Sequence, residues 1–413
     1  MEASHLLFLI LGIVVLDYFL DQVLNLLNFK SFDRPIPSNL KEVFSAEEYG
    51  KSQAYQKVRA KFGFTTSLFS VLMSVLVLLL GGFGLLDQLL REYITDPIVL
   101  GLGFFGVLFI LSDLVKIPFS LYSTFVIEEQ FGFNKTTLGT FILDKLKSYL
   151  LIVLIGAPLG YALLWLVVTL DQSFWVYALL LVTAFILIMN LCYTSLIMPL
   201  FNRLTPLEEG ELKTAIEEYT RKVGFPLDHV YVIDGSKRSS KANAFFSGLG
   251  KRKKVVLYDT LIQDHSKEEL VAVLAHEVGH YKKRHILQSL LLSVVQMAIT
   301  FYVMSLMIFN ENLSIALGAD QLGIHLNFIA FGLLYTPISR ITGLLMNILS
   351  RKNEYEADAF AANTYQAGAL VHALKTLSKN SLSNLTPNRW YEFVNYSHPS
   401  LSKRVAALES TSK

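Results

Sequence analysis

Two histidines four residues apart enclose a glutamate in the run His276-Glu277-Val278-Gly279-His280. On a helix, this H-E-x-x-H spacing turns both imidazoles to one face, where they can share a tetrahedral metal ion. Glu277 stands about 100° further round, placed to reach a metal-bound water without becoming a ligand. A catalytic zinc needs a third protein ligand and an open position. The single cysteine, Cys192, falls inside an apolar run, which excludes a thiolate cluster and an intramolecular disulfide framework. His285 lies nine residues beyond His276, about 180° round a continuous helix, and is expected to point away. Downstream, Asn353-Glu354-Tyr355-Glu356-Ala357-Asp358 sets Glu354 and Asp358 on one helical face and Glu356 on the other. Glu354 can complete a His₂Glu site. Asp358 can accept a hydrogen bond from a metal-bound histidine and fix its tautomer. Without the metal helix, the same pair reads as a solvated helix face. In Tyr396-Ser-His398-Pro-Ser-Leu-Ser-Lys-Arg404, His398 and Arg404 are donors able to stabilise an oxyanion. By composition alone, His398 is an ordinary loop histidine, as are His5, His229, His265, His325 and His372.

The elements around these residues form two soluble blocks, 197–285 and 349–413. The first opens with a charged amphipathic helix near 206–224. Strand-like alternation follows at 229–234, with further strands expected at 242–246 and 255–258. Between the last two, Lys251-Arg252-Lys253-Lys254 reads as a solvated hairpin tip or as a contact with the membrane surface. From Ser266 the pattern becomes helical, with Glu269 three residues on to close a capping box. The final block runs from the acidic helix through the His398 loop into a last helix.

The rest of the chain is too apolar for a wholly soluble protein. Of 413 residues, 53% are apolar and only 17% charged, against about a quarter charged in soluble domains. That composition also excludes a disordered, collagenous or coiled-coil protein. A net charge of +2 speaks against a nucleic-acid partner. A transmembrane helix needs roughly 20 apolar residues, and seven windows reach that length: 5–27, 65–90, 98–121, 148–170, 174–196, 286–309 and 323–348. The first is too long and too poor in basic residues for a cleaved signal peptide, and is expected to remain as an anchor. Lys and Arg alternate between the connecting segments so as to place the N-terminus outside and both soluble blocks in the cytoplasm. The resulting division is 1–196, five membrane helices; 197–285, the first part of a soluble domain carrying the H-E-x-x-H helix; 286–348, helices six and seven; and 349–413, the C-terminal part of that domain. Asp17, Asp21, Asp113 and Arg340 fall within spans, where they mark either a polar lining or helix–helix contact and snorkelling.

Taken together, H-E-V-G-H, a hydrophobic hairpin, N-E-Y-E-A-D-A-F and Y-S-H-P-S-L-S-K-R resemble the type I CAAX prenyl proteases, integral-membrane zinc metalloproteases. The resemblance covers nearly the whole chain. Arg34-Pro-Ile-Pro and Glu48-Tyr-Gly-Lys-Ser52 with Tyr55 resemble the family's first cytosolic loop, and Phe125-Val-Ile-Glu-Glu-Gln-Phe-Gly-Phe-Asn134 its second. Ala242-Asn-Ala-Phe-Phe-Ser-Gly248 resembles the edge strand along which such enzymes hold a peptide. The resemblance implies a mainly α fold: a barrel of seven transmembrane helices around a water-filled chamber, with a gluzincin-like α+β zinc domain on its cytosolic side. It implies one Zn²⁺ on His276, His280 and Glu354, with Asp358 behind them and Glu277 as the base. His398 and Arg404 would act on the transition state, and Asn243, Ala244 and Phe245 would lie along the peptide. The implied reaction is proteolysis beside a prenylated C-terminal cysteine, with a peptide or protein substrate presented from the bilayer. A compact stretch before Asn353 and an end at Ser410-Thr-Ser-Lys413, without a dilysine signal, point to a bacterial homologue in the inner membrane; a eukaryotic one belongs in the endoplasmic reticulum.

Two other readings share part of this pattern. A heat-shock-type quality-control zinc protease carries the same motif but has fewer spans ahead of it. A transporter with structural zinc suits buried acids, yet a structural site takes four protein ligands and no adjacent base.

Overall fold

The computed structural model describes residues 1–41, 44–247 and 253–411. Gly248, Gly250, Lys251 and Arg252 of the expected hairpin, and Ser412 and Lys413 at the end, lie outside the described residues.

The N-terminal half is helical: α1 (Ala3–Ser31), α2 (Ala46–Leu79), α3 (Gly82–Arg91), α4 (Pro97–Tyr122), α5 (Leu138–Leu151), α6 (Ala157–Leu170), α7 (Phe174–Cys192) and α8 (Met198–Phe201). Local sequence sets their ends. Ser45 and Glu48 form a reciprocal capping box at the start of α2, and Asp96 accepts from the amides of Ile98 and Val99 at the start of α4. Single π-helical segments, Ser123–Glu128, Ile152–Gly156 and Tyr193–Ile197, carry α4, α5 and α7 onward. The expected span 65–90 is not one helix. Gly81, at φ 63°, breaks it into α2 and α3, a conformation that glycine adopts without a Cβ clash.

Five helices among the described residues are long and apolar enough to cross a membrane: Ala3–Ser31, Ala46–Leu79, Pro97–Glu128, Leu138–Phe201 and His285–Ser305. A pair bent by 54°, Ile324–Leu334 with Thr336–Thr364, makes a sixth. Length and composition thus give five or six rather than the seven expected, because windows 148–170 and 174–196 fall within one 64-residue stretch. That stretch is not straight. Asp171 (φ 47°, ψ −138°) interrupts the helix, and Leu166 and Val167 of α6 share a buried cluster with Phe174 and Ala178 of α7. Apolar side chains cover the outer faces of these helices, among them Leu72, Leu111, Leu154 and Leu180; lipid is the solvent that such faces require.

The C-terminal half supplies β1 (Leu204–Pro206), α9 (Glu211–Lys222), β2 (Leu227–Ile233), β3 (Ala244–Ser247), β4 (Lys253–Tyr258), α10 (Asp259–Asp264), α11 (Lys267–Lys282), α12 (His285–Ser305), α13 (Glu311–Ala316), α14 (Ile324–Leu334), α15 (Thr336–Thr364), α16 (Ala367–Asn380), α17 (Arg389–Asn395) and α18 (Leu401–Thr411). The sheet runs β1-β2-β4-β3, with β2 and β4 parallel and the outer pairs antiparallel. This places β3 at an edge. Lys253 and Lys254 of the basic run belong to β4 rather than to a turn, with their ammonium groups over the rings of Tyr281 and Tyr231. Beneath the sheet, Val271, Leu274, Ala275 and Val278 of α11 share a core with Val230, Val255 and Leu257, and with Leu370 and Leu408 of α16 and α18.

One helix runs from an apolar span into the soluble block. In α15 the apolar window continues without a break into Asn353–Asp358, so the boundary drawn at 348/349 falls mid-helix. Arg340 on α15 donates to Asp17 (2.7 Å) and Asp21 (2.9 Å) on α1, and Asp113 on α4 accepts from Lys145 and Tyr149 of α5. Each of the four charges in the spans is thus paired with a group on another helix.

Candidate active site

α11 starts where the sequence indicates. Ser266 Oγ accepts from the Glu269 amide at 3.3 Å, and the Glu269 carboxylate accepts from the Ser266 amide at 2.9 Å. The core face of the helix then fixes its rotation, which directs His276 and His280 at α15. Gly279 sets the approach: a Cβ there would lie 2.9 Å from Ala357 Cα. Only a residue with no side chain allows the two helices so close.

Across this contact, three groups converge. His276 Nε2 and His280 Nε2 are 3.2 Å apart, Glu354 Oε1 is 3.3 Å from His280 Nε2, and Glu354 Oε2 is 3.6 Å from His276 Nε2. A tetrahedral ion with bonds of 2.0–2.2 Å sets its ligand atoms about 3.4 Å apart, so the spacing suits a metal. Glu354 Oε2 is buried with no hydrogen-bond partner among the described residues. A buried carboxylate oxygen without a hydrogen bond costs free energy unless an ion or proton satisfies it. The donor set therefore fits a metal, and the three residues are those the sequence indicates.

The outer contacts decide which nitrogen is free. His276 Nδ1 is 2.8 Å from Asp358 Oδ1, so the proton sits on Nδ1 and the lone pair of Nε2 faces Glu354. Arg404 grips the same carboxylate twice, Nε to Oδ2 at 2.8 Å and NH2 to Oδ1 at 2.6 Å. Burial works against the charge on Arg404, but the Asp358 hydrogen bonds outweigh it and hold the guanidinium above its ordinary value. Its remaining nitrogen, NH1, is 3.5 Å from Glu354 Oε2. His398 Nε2 is 3.3 Å from Glu354 Oε1, and Ser397 Oγ lies 2.9 Å from His398 Nδ1. With the Ser397 hydroxyl donating, His398 presents Nε2–H to the site.

These residues border a cavity of about 440 Å³. Glu277 lies along its wall, where burial pushes its carboxyl above the usual carboxylate range, only partly opposed by His276 and His280. Asn243 and Ala244 form the opposite rim, and Asn243 Oδ1 accepts from the Ala244 amide at 2.9 Å. Phe245 is not brought to the cavity. Strand alternation turns its side chain to the other face of the sheet, against a cluster containing Met198, Ile233 and Val256.

His285 departs from expectation. It does not continue α11, because the chain turns at Arg284 (φ 61°) and α12 begins with His285. The buried His285 ring therefore comes back against His280, Nδ1 to Nδ1 at 3.1 Å, while its Nε2 lies 3.3 Å from Glu356 Oε2. Angular arithmetic on one continuous helix misses this, and no glycine, asparagine or proline marks the break. Lys241 escapes sequence reasoning as well. Two residues before Asn243, its ammonium donates at 2.8 Å both to Tyr55 Oη on α2 and to Glu128 Oε2 in the segment after α4. The loop motifs carrying Tyr55 and Glu128 are the signal that could have found it.

Two family models match the chain in succession: a CAAX prenyl protease N-terminal domain of five membrane helices over residues 25–203 and peptidase family M48 over 206–412. The chain is 35% identical to the CAAX prenyl protease 1 homolog of Oryza sativa, covering 97% of this chain and 96% of that one. It is 34% identical to CAAX prenyl protease 1 of Saccharomyces cerevisiae, covering 93% and 90%. Its fold matches the crystal structure of S. mikatae Ste24p with a TM-score of 0.93 at 32% identity, over 98% of this chain and 99% of that one.

Proposed function

The chain belongs to peptidase family M48, as a membrane metalloendopeptidase of the CAAX prenyl protease 1 type, and on that premise we propose that it hydrolyses a peptide bond beside a prenylated C-terminal cysteine with one zinc ion on His276, His280 and Glu354. The observation that carries the assignment of the centre is the convergence of those three groups, with a buried Glu354 oxygen that has no hydrogen-bond partner among the described residues.

A zinc ion held there supplies Lewis acidity and lowers the pKa of a bound water toward about 7. Glu277 is the base. Its raised carboxyl value brings it nearer to the proton it must take, and it returns that proton to the leaving amine. His398, with Nε2–H directed into the site, donates to the developing oxyanion. Arg404 has two nitrogens committed to Asp358, so its main part is to hold Asp358, and through it His276, while NH1 adds positive potential at Glu354. The free edge of β3, with Asn243 and Ala244 at the cavity rim, takes the extended peptide by strand addition. Phe245 serves through its backbone only.

The membrane half presents the substrate. The break at Asp171 and the bend between α14 and α15 support seven crossings, with the soluble blocks capping their cytosolic end as two parts of one domain. Arg340, Asp17 and Asp21 retain 27%, 30% and 46% side-chain exposure within apolar segments, which supports a water-filled chamber enclosed by the helices. The test is hydrolysis of a farnesylated CAAX peptide and of the same peptide without lipid, with chelator and Glu277→Gln as controls. Lipid-dependent, chelator-sensitive release of the C-terminal tripeptide is expected. Equal cleavage of both peptides would instead place the chain with general membrane proteolysis, and metal-dependent flux without cleavage with transport.

A further inference from the structure

We infer that His285 and Glu356 form a hydrogen-bond relay that fixes the tautomer and orientation of His280. They are positioning residues for the metal centre, so the inference rests on the metal reading above.

Proton counting gives the relay its direction. To ligate through Nε2, His280 must carry its proton on Nδ1. Among the described residues, the group within hydrogen-bond distance of that Nδ1 is His285 Nδ1, at 3.1 Å. One of the two nitrogens holds the proton between them. Were it His285 Nδ1, His280 Nδ1 would have to accept, and a neutral His280 would then carry its proton on Nε2, in the metal position. The arrangement compatible with a metal is therefore the reverse: His280 Nδ1–H donates to the lone pair of His285 Nδ1. His285 must then be protonated on Nε2, and this N–H points at Glu356 Oε2 at 3.3 Å. Glu356, a carboxylate, can only accept. It therefore sets the direction of the whole chain, from His280 through His285 to the carboxylate.

Local backbone geometry builds this device. The left-handed turn at Arg284 starts α12 at His285, whose side chain is only 5% exposed. Glu356 sits on the face of α15 opposite the Glu354/Asp358 pair, where α12 meets it. The two metal histidines are thus supported in parallel. His276 hands its Nδ1 proton directly to Asp358, and His280 hands its own to Glu356 through one intervening imidazole. One stretch of α15 supplies the ligand and both terminal acceptors, which accounts for every acidic residue in Asn353–Asp358.

The test measures zinc affinity of the full-length protein in detergent, by competition with a chromophoric chelator, for wild type, His285→Leu, Glu356→Ala and the double variant. Lys352→Met is the control, since Lys352 lies 3.8 Å from Glu356 Oε1, away from the oxygen that faces His285. His285→Leu should weaken zinc binding by about 10- to 100-fold, the range for outer-shell partners, and Glu356→Ala by about 10-fold. The double variant should be no weaker than His285→Leu, because the relay is serial. In the Co²⁺-substituted protein, the visible ligand-field bands should shift in both single variants and not in Lys352→Met. Should His285→Leu fail to fold, the partly exposed Glu356→Ala carries the test with both readouts. Unchanged affinity and spectra in the variants, or losses that simply add, would overturn the relay. A wild type that binds no zinc would overturn the metal reading itself, so the two failures are distinguishable.

Discussion

Gly279 and Ala357 are the point at which the two helices carrying the candidate metal ligands touch: a side-chain carbon added at Gly279 would lie only 2.9 Å from Ala357 Cα and 3.0 Å from its carbonyl oxygen. The neighbours that would have to yield are backbone atoms, so α11 and α15 must separate to admit a methyl group. His276 and His280 stand on one side of that contact and Glu354 on the other. We expect Gly279→Ala to retain the fold while lowering zinc affinity and cutting kcat/KM by up to about 100-fold, the cost of an ångström-scale misplacement. Zinc titration and peptide hydrolysis in parallel check it. Unchanged affinity would mean that the helices do not need this approach.

Glu277 lines the cavity without joining the three converging groups, and this separates its role from theirs. Glu277→Gln should keep stoichiometric zinc and lose about 10²- to 10⁴-fold in kcat, the range for a general acid–base group. Glu354→Ala should lose the metal as well as the activity. Metal analysis of both purified variants distinguishes base from ligand, and full activity in Glu277→Gln would sink the assignment. Chelation of the wild type should abolish turnover, and added Zn²⁺ should restore it.

The candidate metal site was legible in the sequence because its groups obey helical spacing: His280 follows His276 by four residues, and Asp358 follows Glu354 by four. Three of the four strands were legible too, β2 by its alternation and β3 and β4 as further candidates, whereas the three-residue β1 carries no such pattern. What escaped depends on breaks that carry no local signal. Arg284 adopts a left-handed conformation that sequence rules assign to glycine or asparagine, and so His285 was projected along a helix that had already ended. Gly81 does carry such a signal, yet it lies within an apolar run whose length alone suggests one span. Lys241, Tyr55 and Glu128 come from three distant segments, and their meeting is a property of the tertiary fold.

The cap of the metal helix gives a pH dependence with a definite sign. Burial works against the Glu269 charge, but its hydrogen bonds from the Ser266 backbone and His372 outweigh this and set its carboxyl below the ordinary value. A carboxyl lowered on folding contributes stability that is fully present above its unfolded value, about 4.3, and is lost as pH falls through the folded value. Glu269→Gln keeps a capping side chain but removes the charge near the helix N-terminus. At pH 7 it should cost about 0.3–1 kcal/mol, and the gap in melting temperature should close below about pH 4. A gap independent of pH between about 3 and 8 would show that the charge contributes nothing.

A cluster around Lys241 links the membrane half to the free edge of β3. Lys241 precedes Asn243 by two residues, and its ammonium is held at 2.8 Å by both Glu128 and Tyr55 while lying 4.2 Å from the centre of the Phe133 ring. Tyr55 in turn donates to Glu128 Oε1 at 2.6 Å. This cluster joins α2, the segment after α4 and the start of β3, so it sets where the free edge lies relative to the metal groups. No member touches His276, His280 or Glu354. Lys241→Met should therefore leave zinc content and kcat nearly intact and raise KM by roughly fivefold, which corresponds to about 1 kcal/mol for a partly exposed ion pair. Glu128→Gln should act in the same direction, and the double variant should add little, because both remove one interaction. Steady-state kinetics on a lipidated peptide checks the split. A fall in kcat at constant KM would mean that the cluster acts on the chemistry rather than on the strand that holds the substrate.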